Sequence, residues 1–279
     1  MYCETYKYPL DSRRYNTMDL SYVDICDIQN SFHTFANKNA SQKPSKRRAR
    51  EKKPRNKTDP LKPCYHATDY MDPDTGKPVE FECGIDEAGR GPLFGRVYCA
   101  AVILPKDPEA FDHSRMKDSK RFTSKKKLME VYDYIKENAI AYHVAYADED
   151  TIDTINIRQA TLQTMHSAIR GLSTKPDFLL VDGCDFIPYD GISHTCIEGG
   201  DNWYTPIAAA SILAKVERDL YIEAMCDAHP ELEERYNLRK NKGYGAKAHL
   251  DGIKEHGITI WHRRTFGTCR KYANISAYK

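Results

Sequence analysis

From residue 81 onward, short apolar runs alternate with longer stretches in which apolar residues recur every three or four positions, and that alternation admits few architectures. FECGI (81–85), VYCAAVILP (97–105), AYHVAYAD (141–148) and DFLLVDG (177–183) read as four buried strands. Between and after them, SKKKLMEVYDYIKENA repeats its apolar residues at Leu128, Val131 and Ile135, and IRQATLQTMHSAIRGL repeats them at Leu162, Met165, Ile169 and Leu172. A third helix is predicted in TPIAAASILAKVERDLYIEAM, with Thr205 as N-cap, Pro206 in the first helical position and Leu213, Val216 and Leu220 buried. Strands separated by helices predict an α/β domain over residues 81–279.

The preceding residues read differently. The 279-residue chain has a net charge of only +2, yet residues 43–57, KPSKRRAREKKPRNK, hold nine Lys or Arg against one Glu, so this stretch carries +8 and everything else sums to −6. Polar, proline-punctuated surroundings without an apolar period predict that residues 1–80 form a largely disordered N-terminal extension. Its basic stretch is open to three readings: a nuclear localisation signal, a phosphate-binding arm or a solvated linker. No apolar run reaches membrane-spanning length, and the opening MYCETYKYPLDSRR lacks the apolar core of a secretion signal. The expectation is an intracellular, cytoplasmic protein with no membrane contact, nuclear if residues 43–57 act as an address. Nine cysteines, among them Cys3, Cys26, Cys99 and Cys226, form no C-x-x-C pair and read as reduced thiols, and Cys64 with His66 has no second pair to complete a zinc site.

The acids fall at telling places. In open α/β sheets, active residues gather beyond the strand ends. Asp86 follows the apolar CGI and Asp182 follows FLLV, so both belong at the ends of buried strands. Glu87 adjoins Asp86; successive strand residues face opposite sides, so the two share a site only if the chain turns there, as the glycines that follow allow. Asp201, in EGGDNWYTP, lies just before the third helix, whose dipole favours a carboxylate. Four clustered carboxylates repel one another unless cations lie between them or protonation shifts. Oxygen ligands suit Mg²⁺ or Mn²⁺, and two such ions serve phosphodiester hydrolysis by activating water on one side of a phosphate and stabilising the leaving oxygen on the other.

The segments GIDEAGRGPLFG, DSKRFTSKK, INIRQATLQTMHSAI, LLVDG, GGDNWYTPIAAASILAKVERD, NKGYGAKAHL and HGITIWHRRTFG, in this order over residues 81–270, closely resemble the type 2 ribonuclease H family (ribonuclease HII). The resemblance implies a ribonuclease H-like fold, a mixed β-sheet with flanking helices. It also implies an endoribonuclease that cuts the RNA strand of RNA–DNA hybrids and nicks duplex DNA 5′ of an embedded ribonucleotide with Mg²⁺ or Mn²⁺; protein partners are left open, and a monomer is the expectation. By the same resemblance Asp86, Glu87, Asp182 and Asp201 are the catalytic metal ligands. Gly89, Arg90 and Gly91 sense the ribose 2′-hydroxyl, which glycines suit because they let backbone approach a sugar closely. Tyr244 stacks on the neighbouring deoxyribose, Lys120 belongs to the substrate-binding set, and Lys215 and Arg218, three apart on one helix, face the same way and hold phosphates.

The chain departs from the family pattern at Phe94 and Arg96, where a small residue and a proline are usual, and at Gly199, where a lysine is common. Phe94, bulky beside the expected metal site, is expected to alter packing there, and loss of a cation near Asp201 to weaken phosphate binding or shift metal preference. Two alternatives stay open: another two-metal nuclease on this fold, such as a junction resolvase or type 1 ribonuclease H, and an inactive nucleic-acid-binding subunit.

Overall fold

The computed structural model describes residues 60–273, apart from 68, 74–75 and 117–123. Five strands, β1 (Glu82–Ala88), β2 (Val97–Ile103), β3 (Ala141–Ala147), β4 (Phe178–Asp182) and β5 (Ser193–Ile197), form one sheet in the order β3-β2-β1-β4-β5. β1 pairs antiparallel with β2, and β2 with β3, whereas β1–β4 and β4–β5 are parallel, so the sheet is mixed as expected. Helices α1 (Lys125–Asn138), α2 (Glu149–Ile155), α3 (Ile157–Arg170) and α4 (Thr205–Ala228) follow the strands. Beyond them come α5 (Pro230–Tyr236), α6 (Leu238–Asn241) and α7 (Lys247–His256).

Both faces of the sheet are covered, which is why its inner strands read as unbroken apolar runs rather than alternating ones. On one face Cys83, Ile85, Ala101, Leu179 and Val181 pack against Leu162, Met165 and Ile169 of α3. On the other, Ala100 and Val102 meet α1 through Leu128, Tyr132 and Ile135, and α4 through Ala208, Ile212 and Val216. α4 is buried at every position from Thr205 to Ala214, as a helix wedged between sheet and C-terminal layer requires.

Several expectations shift. α4 starts at Thr205 with Tyr204 as its N-cap, one residue earlier than predicted, and the Thr205 hydroxyl instead meets His113 Nδ1 at 2.8 Å. β5 escaped prediction because SHTCI lies at the sheet edge, half-buried and barely apolar. The boundary expected at residue 81 falls earlier. The Lys62 N–H donates to the Trp203 carbonyl and the Lys62 carbonyl accepts from Thr205 N–H, while Val79 joins the core beside Phe178 and Ile207. The basic stretch 43–57 lies outside the described residues.

α4 can cross β1 closely only at Gly84. A Cβ there would overlap the Pro206 carbonyl group and the Ile207 nitrogen, all backbone of the first turn of α4. Gly84→Ala should therefore cost on the order of 2 kcal/mol of stability, seen as a lower urea midpoint at unchanged slope. A wild-type midpoint would show that the helix shifts without loss.

Candidate active site

The parallel pairing of β1 with β4 brings the first two acids together. The register sets Ile85 opposite Val181, so Asp86 and Asp182 fall level at the ends of neighbouring strands. Asp86 pairs with Ala100, whose side chain lies on the α4 face, and Ser211 of α4 hydrogen-bonds its carboxylate. The Gly200 N–H donates to Asp182 Oδ1 at 2.6 Å, tying the turn after β5 to the end of β4. That 3₁₀ turn, Gly200–Asn202, carries Asp201, which is buried and accepts from the Asn202 amide at 2.8 Å. Gly199 precedes the turn in the left-handed region at φ 62°, a conformation that a lysine there would adopt only with strain.

Glu87 departs from the expected arrangement. β1 runs on through Ala88, with Glu87 opposite Cys99, so pleating directs its side chain to the α3 face and the chain turns only at Gly89. Its charge still acts on Asp86. Burial, then the Asp182 and Glu87 carboxylates, raise the Asp86 pKa well above the usual carboxylate range against the opposing hydrogen bond from Ser211. Among the described residues no group of three or more His, Cys, Asp or Glu side chains stands close enough together to hold a metal ion. The donor chemistry nevertheless fits a hard divalent cation: oxygen ligands only, with the buried Asp86 and the half-buried Asp182 repelling each other, a charge that a cation would neutralise.

Beside the acids, two loops are stitched together. The Leu93 N–H donates to the Gly243 carbonyl at 2.8 Å, joining residues 89–96 to the KGYG segment. Gly91 faces Tyr244, whose ring Cε1 would lie 3.5 Å from an added Cβ, and Tyr244 is 50% exposed. Arg90 is exposed, with Nη1 3.6 Å from Glu87 Oε1. Gly89 adopts φ +95°, and a Cβ there would overlap the Arg218 side chain, so it is Arg218, beneath the loop, that excludes one.

Arg218 corrects the expectation of a paired phosphate-holding face. It is 2% exposed, and its guanidinium donates to the carbonyls of Arg96 (3.2 Å), Lys242 (2.9 Å) and Phe94 (3.1 Å), so it knits the loops and does not face solvent. Lys215 is one-third exposed and paired with Asp219 at 2.7 Å, one helical turn beyond Ser211 and so on the Asp86 side of α4. Lys120 lies outside the described residues. Phe94 packs against the rings of Trp261 and His262 instead of crowding the acids, and the Arg96 guanidinium lies over Tyr146 and Tyr221 at 4.1 and 4.6 Å from the ring centres.

Residue-by-residue reading missed Ser211, Arg263 and the pair His249–His262. Arg263 is fully buried beneath residues 89–95, where a charged side chain is expected at the surface. The Thr259 N–H donates to His262 Nδ1 at 3.0 Å, leaving the His262 proton on Nε2, directed at His249 Nε2 3.1 Å away. His249 therefore carries its proton on Nδ1 and donates to the Tyr244 carbonyl at 2.9 Å. Two neutral imidazoles thus anchor the loop that presents Tyr244.

Residues 83–269 match the family model described as Ribonuclease HII. The ribonuclease HII of Cytophaga hutchinsonii is 44% identical over 188 residues, covering 67% of this chain and 89% of that protein. Among solved structures, ribonuclease H2 from Pyrococcus horikoshii OT3 gives a TM-score of 0.58 at 24% identity, over 69% of this chain and 97% of that one. Bst-RNase HIII in complex with Mn²⁺ gives 0.50 at 19% identity over 70% of each chain. These two likenesses show the fold.

Burial, with the repulsion a protonated His249 would add, holds His262 down to about 3, and burial lowers His249 as well. Unfolded imidazoles titrate near pH 6.5, so below it the unfolded chain takes up protons that the folded chain refuses. This stabilisation is whole above about pH 6.5 and is lost as the pH falls toward the folded value, by up to about 1.4 kcal/mol per pH unit for His262. Urea titrations from about pH 7 to pH 5 should show a flatter pH dependence for His262→Gln than for wild type. Parallel profiles would rule the pair out as a source of acid sensitivity.

Proposed function

As this chain belongs to the ribonuclease HII family, endoribonucleases that hydrolyse the RNA strand of RNA–DNA hybrids in a divalent-metal-dependent reaction, we propose that it also nicks duplex DNA 5′ of a single embedded ribonucleotide. The products are a 3′-hydroxyl and a 5′-phosphate. One observation carries this reading: Gly91 faces the exposed ring of Tyr244 only a few residues beyond Asp86, so a backbone segment able to approach a sugar closely adjoins the acids.

Asp86 and Asp182, level at the ends of β1 and β4, would hold the metal, Mg²⁺ or Mn²⁺, with Asp201 buried in the turn after β5 and Glu87 adding its charge from the other face of β1. Bound there, it supplies a nucleophilic water at neutral pH and charge stabilisation of the scissile phosphate. The residues around it do the positioning. The Ser211 hydroxyl and the Gly200 N–H orient the Asp86 and Asp182 carboxylates, and Lys215, on the same side of α4, takes a phosphate of the cut strand. Gly89–Arg90–Gly91 lies against the ribose, and the Tyr244 ring lies against the neighbouring deoxyribose, a sugar with no hydroxyl to hold it off.

Asp182→Asn keeps the shape of the side chain and removes its charge. Turnover on a duplex with one ribonucleotide should fall to background while substrate binding and the folding midpoint stay near wild type; activity within about tenfold of wild type at saturating Mg²⁺ would sink the assignment.

Gly91→Ala tests the sugar contact. The added methyl has ordinary space inside the protein, so the fold should be unaffected, but it projects toward Tyr244, where the sugar would sit. Nicking at a single ribonucleotide should drop by at least about tenfold with no change in thermal midpoint. Undiminished nicking, or equal cutting of all-DNA duplex by the wild type, would favour a generic two-metal nuclease.

A further inference from the structure

We infer that Arg263 is a positioning residue that sets the direction of the Arg90 and Gly91 N–H groups and so determines selectivity for a ribose. This rests on the reading that Gly89–Arg90–Gly91 faces the substrate sugar. The Arg263 guanidinium, fully buried, donates to four carbonyls of one loop: Nε to Gly95 (2.8 Å), Nη1 to Arg90 (3.0 Å) and Pro92 (2.9 Å), and Nη2 to Gly89 (2.6 Å). Its own backbone N–H takes a fifth carbonyl of the same loop, that of Leu93, at 2.8 Å.

A trans peptide unit is planar, with its C=O and N–H pointing opposite ways. A carbonyl drawn in toward Arg263 therefore turns the N–H of the next residue outward. Where this happens at Pro92, the Leu93 N–H reaches out and finds the Gly243 carbonyl. Where it happens at Gly89 and Arg90, the outward groups are the N–H of Arg90 and of Gly91, both residues are exposed, and neither N–H has an acceptor among the described residues. Two consecutive amides facing outward beside the acids make a concave pair of donors, suited to one oxygen of the substrate. The ribose 2′-oxygen is that acceptor, and deoxyribose leaves the pair unsatisfied. A lysine at 263 keeps the charge but offers three donors from one point and cannot hold four carbonyls spread along seven residues.

The test uses the full chain with Mg²⁺ and three otherwise identical duplexes: one carrying a single ribonucleotide, one all-DNA, and one with the ribonucleotide and a methylphosphonate at the adjoining phosphate. Arg263→Lys should lower the kcat/KM ratio of the first to the second by at least about tenfold. Arg263→Ala should recover nicking and selectivity with added propylguanidinium but not with propylammonium at equal concentration, a rescue that general stabilisation does not give. For a readout independent of whether these variants fold, amide exchange at Arg90 and Gly91 is followed in the otherwise native Asp182→Asn chain. Both amides should be protected by the ribonucleotide duplex, with or without the methylphosphonate, and left unprotected by all-DNA. A folded Arg263→Lys with wild-type selectivity, equal protection by the first two duplexes, or protection lost with the methylphosphonate overturns the inference. If wild type itself fails to distinguish ribonucleotide from all-DNA duplex, the reading of the site falls; if wild type discriminates and Arg263→Lys does too, only the role of Arg263 falls.

Discussion

Two buried guanidiniums hold together the part of this protein where the chemistry is expected. Neither Arg218 nor Arg263 has a carboxylate within ion-pair distance among the described residues, and both are solvated by backbone carbonyls. Burying a charge is costly unless every donor is met, and an irregular loop has carbonyls that must be satisfied somewhere. Each problem solves the other. Burial, with the charge of Arg218 adding, lowers the Arg263 pKa to about 9, still high enough to keep it charged at neutral pH. The outcome is a seven-residue loop pinned through its carbonyls at the end of the strand that carries Asp86.

The sheet supplies the other half of the geometry. A parallel β1–β4 pair is what levels Asp86 with Asp182, and the helix covering that face can lie so close only because residue 84 has no side chain. Close approach of α4 then brings Ser211 to Asp86, Lys215 one turn farther along, and Arg218 beneath Gly89. The neutral His249–His262 pair does for the Tyr244 loop what the arginines do for the glycine loop. Strand register, helix contact and loop are thus successive consequences of one packing arrangement.

Among the described residues, the order of apolar runs and periodic stretches was enough to read four of the five strands and the three long helices, because burying a sheet on both faces leaves a period that survives in one dimension. β5 was illegible for the converse reason: an edge strand, half-buried, needs no apolar run. The same logic explains Arg218. Three residues from Lys215 on a helix, it looked like one of two exposed cations, and nothing local shows that the loop above it closes over that position. Glu87 shows a related limit, since whether the strand ends before or after it is decided by pairing with Cys99 on β2.

What the sequence determined alone was the element order, the placing of Asp86 and Asp182 at strand ends, and a run of motifs specific enough to identify the family. These depend on spacing along the chain. Tertiary structure decided which cations are buried, which face each acid takes, and which N–H groups remain outside. Those outcomes depend on contacts such as that of Arg263 with Gly89, 174 positions away, and a preference read one residue at a time carries no information about a partner so distant.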